Sequence, residues 1–344
     1  MLLFVVRRLA WAVGLVAVIT LITFVIFLGI PDRTINSRQG LVTPNLQAQW
    51  HLDGHSLPAK YVLFLKHIAL HGDFGRSMRQ PLSVREIMTT ALPVTASLVI
   101  GGTIMFLLLA FPIGLLSALR PRSMLDKGLM VLVLVGVSAH PVFLGLTLSY
   151  FLGFKWHVFP IAGYCNLRYH ANDLCGGPRY WAFHMVLPWI TFAFLFAALY
   201  ARMIRASVIE ALSEDYVRTA RAKGASTWRI LRRHVSRNAL LPVVSMLGMD
   251  VGIAFGGSIF IETVFDLPGV GQQLYRALTS GDEPVILGVA LLVSVAVVIA
   301  NLVADLLYCL IDPRVRVRTG RQETALVLPR ARREPVRGLT EPVS

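Results

Sequence analysis

Six long runs of uncharged or nearly uncharged residues limit what this chain can become: roughly 9–30, 93–119, 128–154, 181–201, 239–261 and 284–311. Each is long enough to cross a bilayer, which takes about 20 residues as a helix. In hydrocarbon the backbone N–H and C=O groups must be satisfied within the segment, so all six runs are expected as helices. The fold class read from them is all-α, a polytopic membrane protein with six transmembrane helices. With 55% hydrophobic and 15% charged residues among 344, the chain is too apolar for an ordinary soluble domain. No small-residue cleavage site follows the first run, which is therefore expected to stay as an anchor.

Lys and Arg divide unevenly between the two sides. Six spans put both ends on one side, together with the connections 120–127 and 202–238. That set holds 22 of the 33 cations, and the opposite set holds 11 although its segments are longer together. The positive-inside rule then places both termini and the loop 202–238 in the cytoplasm. The net charge of +14 reads as inner-face topology; a nucleic-acid role would want a soluble basic module, and none is present. The expected organisation is an anchor (1–30), an extracytoplasmic segment (31–92) and a core of five spans (93–312). A tail (313–344) rich in Arg and Pro follows, expected to be disordered and to lie on anionic lipid.

The stretch 202–242 carries nine cations and three acids between two apolar runs. Ser213 is the expected N-cap of a short helix, with Glu214, Asp215 and Tyr216 opening it. Arg218, Ala220, Arg221 and Lys223 follow toward its end, and Gly224 supplies a left-handed stop. A second helix can start at Ser226 or Thr227 and put Trp228, Leu231 and Val235 on one face. Helix, glycine turn and helix at the membrane surface make a docking element. The plainer reading is a solvated loop that only sets topology.

Other candidates lie within or beside the spans. Asp250 sits near the centre of the fifth run, among Gly248, Gly252, Gly256 and Gly257. A carboxylate there faces protein or water rather than lipid. It can line a central pathway while the glycine face packs, or bond a hydroxyl on a neighbouring span. His140, followed by Pro141, is a second pathway candidate, read alternatively as a packed, hydrogen-bonded histidine. Residues 59–71 suit a helix on the outer surface. Glu262 and Asp266 lead into a helix started by Pro268. Asn301 and Asp305 share one face of the last span. Cys165 and Cys175 stand in one outward loop and are a disulfide candidate worth about 2–3 kcal/mol. Cys309 reads as a small core residue. His157 and His170 form no ligand spacing, so no metal is expected.

DYVRTARAKG followed by RRHVSRNALLP resembles the coupling segment of ABC-importer permeases in the dipeptide, oligopeptide and nickel branch. The general signature is Glu-Ala-Ala, three residues, Gly, nine residues, Ile-x-Leu-Pro. Here Arg218, Thr219 and Ala220 stand for Glu-Ala-Ala, and His234 to Arg237 replace Ile-x-Leu-Pro. The likeness continues in GDFGRSM (72–78), GGSIFIETVFDLPGVGQ (256–272) and NLVADLLYCLIDPRVR (301–316). It implies a type I ABC importer permease fold and a heterodimer with a second permease subunit. It also implies two ATP-binding subunits docked on the cytoplasmic loops and an extracytoplasmic solute-binding protein that delivers cargo. The implied cargo is a di- or oligopeptide, a nickel complex or another small solute.

The chemistry that is missing points the same way. There is no G-x-x-x-x-G-K-[ST] to cradle phosphates, no H-E-x-x-H and no G-x-S-x-G elbow. No cofactor is expected, and ATP hydrolysis is assigned to a partner. A secondary, ion-coupled transporter or channel is the rival reading; the halves 1–154 and 155–312 show no clear repeat to support it. An intramembrane enzyme would need a nucleophile with a base at matched depth, which Asp250 alone does not supply.

Overall fold

The computed structural model describes residues 2–26, 49–50, 54, 56–168 and 175–311. The expectations for the tail 313–344, for His170 and for part of the external segment lie outside them, as do those for the side chains of Asp305 and Cys309. Among the described residues the regular secondary structure is all helical, apart from isolated bridges such as that between Arg76 and Ser83. The elements are α1 (Leu2–Phe24), α2 (Leu57–His71), α3 (Val84–Leu119), α4 (Met124–Ser138) and α5 (Pro141–Leu148), which runs on as a π-helical turn, Ser149–Lys155. Then come α6 (Pro178–Ser213), α7 (Asp215–Ala222), α8 (Thr227–Ile230) with a second π turn, Leu231–Val235, and α9 (Ser236–Val264). Two more follow among the described residues, α10 (Val270–Ser280) and α11 (Glu283–Ile311).

Within the described residues every apolar run falls on helix. Val84–Leu119, Pro178–Ser213 and Glu283–Val303 are long and apolar enough to cross a membrane, while α1 and α9 contribute shorter apolar stretches, Leu9–Phe24 and Ala254–Val264. The third run is not one rod. It breaks between α4 and α5, which meet at 103°. Pro141 removes a backbone donor and pushes the residue before it out of helical geometry. His140 accordingly takes φ −67°, ψ 137°, and its Nδ1 accepts the Val142 N–H at 3.3 Å, capping the new helix.

The centre of the bundle is the α3–α6 pair. A Cβ on Gly102 would sit 2.4 Å from the Phe192 ring, and one on Gly114 would sit 2.7 Å from the Ala201 carbonyl oxygen. Only glycine lets the two axes come this close. Around the seam lie Leu98, Phe106, Phe192, Phe196 and Tyr200, all buried. Prolines inside α3 (Pro93, Pro112), α6 (Pro188) and α9 (Pro242) are accommodated within continuous helices. The helix expected at 59–71 is α2, and it is tied in by Phe64, fully buried against Phe24, Trp50, Leu287 and Leu291.

Candidate coupling surface and buried polar sites

The docking segment is built as a helix, a glycine stop and a helix. Its entry differs from the expectation. α6 continues to Ser213, whose Oγ donates to the Glu210 carbonyl at 2.7 Å and so caps nothing. Glu214, extended at φ −68°, ψ 148°, is the single residue between α6 and α7 and serves as the C-cap of one and the N-cap of the other. Asp215 opens α7, where an acid suits the helix dipole. The exit follows the expected pattern: Gly224 has φ +77°, its N–H donates to the Arg221 carbonyl at 2.9 Å, and the Ala225 N–H donates to Ala220 at 3.1 Å. These two bonds form a Schellman stop. Ser226 is the N-cap position of α8, extended at ψ 151°.

One face of this element is fastened to the bundle. Val217 (0% exposed) and Ile230 (1%) enter the core, with Ala220 and Ala225 packed beside them. Leu231 and Val235 are buried as well, but Trp228 is 68% exposed and does not share their face. The π turn after Ile230 widens the helical repeat and rotates Leu231 and Val235 out of register with Trp228. The opposite face carries Glu214, Asp215, Tyr216, Arg218, Arg221, Lys223 and Trp228, all exposed. Within it, Arg218 reaches Asp215 at 3.6 Å in an exposed pair that contributes little to stability.

The bundle-embedded candidates are placed differently. Asp250 is 9% exposed, and the fully buried Tyr200 on α6 donates its hydroxyl to Asp250 Oδ2 at 2.7 Å. This is the hydroxyl bond to a neighbouring span that the sequence allows as an alternative. The glycine stripe beside it is used in part: a Cβ on Gly252 would lie 3.0 Å from Val297 of α11, whereas Gly256 borders open space. His140 is exposed at the α4–α5 break, edge-on to Phe260 at 5.6 Å. It is a helix cap rather than a packed mid-span histidine. Cys165 and Cys175 are joined, their Cα atoms 5.4 Å apart, and the Gly163 N–H next to them donates to Phe265 O at 2.9 Å. Among the described residues no cluster of His, Cys, Asp and Glu could hold a metal ion.

Three buried carboxylate sites escape a linear reading of the sequence. Glu262, at 0% exposure, accepts the Thr95 hydroxyl at 2.7 Å and the Gln272 N–H at 2.9 Å. Thr95 in turn accepts the Val270 N–H at 2.8 Å, so both side chains cap the first turn of α10. Asp282 accepts the Ser77 hydroxyl and, at 3.0 Å, the Met78 N–H, tying the GDFGRSM stretch to the α10–α11 corner. At the end of the bundle that bears α7, Asp126 accepts Arg205 Nε at 2.9 Å and Nη2 at 2.8 Å, the Arg122 N–H at 2.8 Å and the Ser117 hydroxyl. For Glu262 the signal is the acid itself, since a carboxylate beside an apolar run needs partners; Asp126 and Asp282 stand in polar connections and carry no such signal.

Comparison with known proteins agrees with this architecture. Residues 110–317 match the family model for the binding-protein-dependent transport system inner membrane component. The dipeptide transport system permease protein of Bacillus subtilis (strain 168) is 34% identical over 312 residues, covering 89% of this chain and 96% of that protein. That of Escherichia coli (strain K12) is 33% identical over 336 residues, covering 92% and 99%. The oligopeptide transport system permease protein of Bacillus subtilis is 32% identical over 316 residues, covering 91% and 98%. With likeness running through nearly the whole length of these proteins, the chain belongs to the family of inner membrane components of binding-protein-dependent transport systems, the permease subunits of ABC importers.

Proposed function

We propose that this permease forms one half of a pathway for di- or oligopeptides and that the exposed face of residues 214–232 seats an ATP-binding subunit. The observation that carries the docking role is the two-faced segment: Val217 and Ile230 are anchored in the core while Tyr216, Arg218, Arg221, Lys223 and Trp228 point outward. A loop that only sets topology has no need of a Schellman stop or a buried seam. The peptide cargo is supported by the relatives named as dipeptide and oligopeptide permeases. The excess of cations on the side of 202–238 supports cytoplasmic termini and a docking face turned to the cytoplasm. The partners proposed are a second, different permease, two ATP-binding subunits, an extracytoplasmic solute-binding protein and the surrounding lipid. ATP-driven closure of the motors would shift α7 and rock the spans between inward and outward openings.

The test is reconstitution of the complex in proteoliposomes with its binding protein. Labelled dipeptide should accumulate only when ATP is present on the side of the docking face. Uptake driven by an ion gradient without ATP would replace this reading with that of a secondary transporter.

A further inference from the structure

We propose that Arg205 and Asp126 are positioning residues that make the docking element, the end of α3 and the start of α4 move as one body. The proposal rests on the docking role given to 214–232.

The route begins at Glu214, the only residue between α6 and α7, so a displacement of α7 reaches α6 through a single residue. Arg205 lies on the last turns of α6 and is 28% exposed, while Asp126 is 6% exposed. Nε and Nη2 of the guanidinium meet the two carboxylate oxygens in a fork, at 2.9 and 2.8 Å. A forked pair fixes orientation as well as distance, which a single contact does not.

The remaining bonds spread the connection. Arg205 Nε also reaches Ser117 Oγ of α3 at 3.0 Å, and the Ser117 hydroxyl donates to Asp126. The Arg122 N–H donates to the carboxylate from the turn between α3 and α4, and that turn is itself held in shape by the left-handed Arg122 at φ +65°. Ser123 caps α4 by accepting the Asp126 N–H at 3.1 Å. Asp126 therefore has four donors, drawn from α6, α3 and the turn, and sits on α4. One side chain joins α3, the turn, α4 and α6 at the end of the bundle next to α7. Apolar packing at the seam holds the helices close, and the fork adds a fixed orientation that non-directional contacts do not supply.

The test uses the assembled importer in proteoliposomes, with spin labels at Met124 and Ser213, both exposed. In the otherwise unchanged protein the label separation should be narrow and the same in nucleotide-free and ATP-trapped states. The double variant Asp126→Asn/Arg205→Gln leaves no uncompensated charge and so should assemble. It should show a broadened, nucleotide-dependent separation and import about fivefold less cargo per ATP hydrolysed, or lower still. Arg205→Lys keeps the cation, loses the fork and should fall between. A double variant with unchanged separation and unchanged cargo per ATP would overturn the proposal, reducing the pair to a stability element. So would a label separation that changes with ATP before any substitution. An importer that shows no ATP-dependent uptake even without substitutions would instead overturn the docking role itself.

Discussion

Replacing Glu262 tests how the hairpin formed by the end of α9 and α10 is held. Its two carboxylate oxygens serve two buried donors, the Thr95 hydroxyl at 2.7 Å and the Gln272 N–H at 2.9 Å. Glu262→Ala orphans both, and a buried donor without an acceptor costs about 1–3 kcal/mol, so the expected loss is about 2–6 kcal/mol. Collapse into the space is opposed by the backbone: a Cβ on Gly269 would already lie 2.4 Å from the carboxylate. Glu262→Gln keeps one oxygen for Gln272, and its amide N–H can donate to Thr95 Oγ. The Thr95 hydroxyl hydrogen then loses its acceptor, so the loss falls to about 1–3 kcal/mol, that of one orphaned donor rather than two. Denaturant titration of the purified subunit in micelles, followed by circular dichroism, orders the three proteins. If Ala unfolds at the wild-type midpoint, or Gln as early as Ala, the capping account of Glu262 is wrong.

The same geometry sets three further outcomes. Gly224→Val forces a β-branched residue to φ +77°, at a cost of about 1–2 kcal/mol; membrane insertion should be normal while cargo-stimulated ATP hydrolysis falls, and an unaltered rate would detach the stop from coupling. Asp250→Asn still accepts the Tyr200 hydroxyl, so near-normal import of several peptides is expected if the bond serves packing, whereas loss of charged cargo alone with intact assembly would assign Asp250 to the pathway. Joint replacement of Cys165 and Cys175 by Ser should lower stability by about 2–3 kcal/mol in the chain-entropy model while import survives; free alkylation of both cysteines in unreduced native membranes would contradict the bridge.

How much is legible in the chain depends on how local the cause is. The stop at Gly224 and the restart at Ser226 are legible because caps are written within a few residues. The helices are legible from the apolar runs, since a bilayer leaves the backbone no alternative. The break at His140 has a local signal as well, Pro141, but proline is also tolerated inside α3, α6 and α9. What separates these cases is the polar side chain before Pro141, which caps a new helix. Trp228 is misplaced by a π turn that a regular period does not foresee. The polar sites are least legible: Asp126 and Arg205 are 79 residues apart, Thr95 and Glu262 167, and Ser77 and Asp282 205. Their partners come only with the packing of α3, α4 and the Ser77 stretch against α6, α9, α10 and the α10–α11 corner.

Site-directed cross-linking from the exposed face of the docking segment tests the central claim most directly. A photo-reactive residue in place of Trp228, which is exposed and outside the buried seam, should form an adduct with an ATP-binding subunit in native membranes, in a yield that changes when ATP is trapped. The same probe at exposed Leu108 of α3 should form none with that subunit. Absence of any adduct from Trp228, in a complex that still imports peptide on ATP, would contradict the assignment of residues 214–232 as the surface that receives the motor.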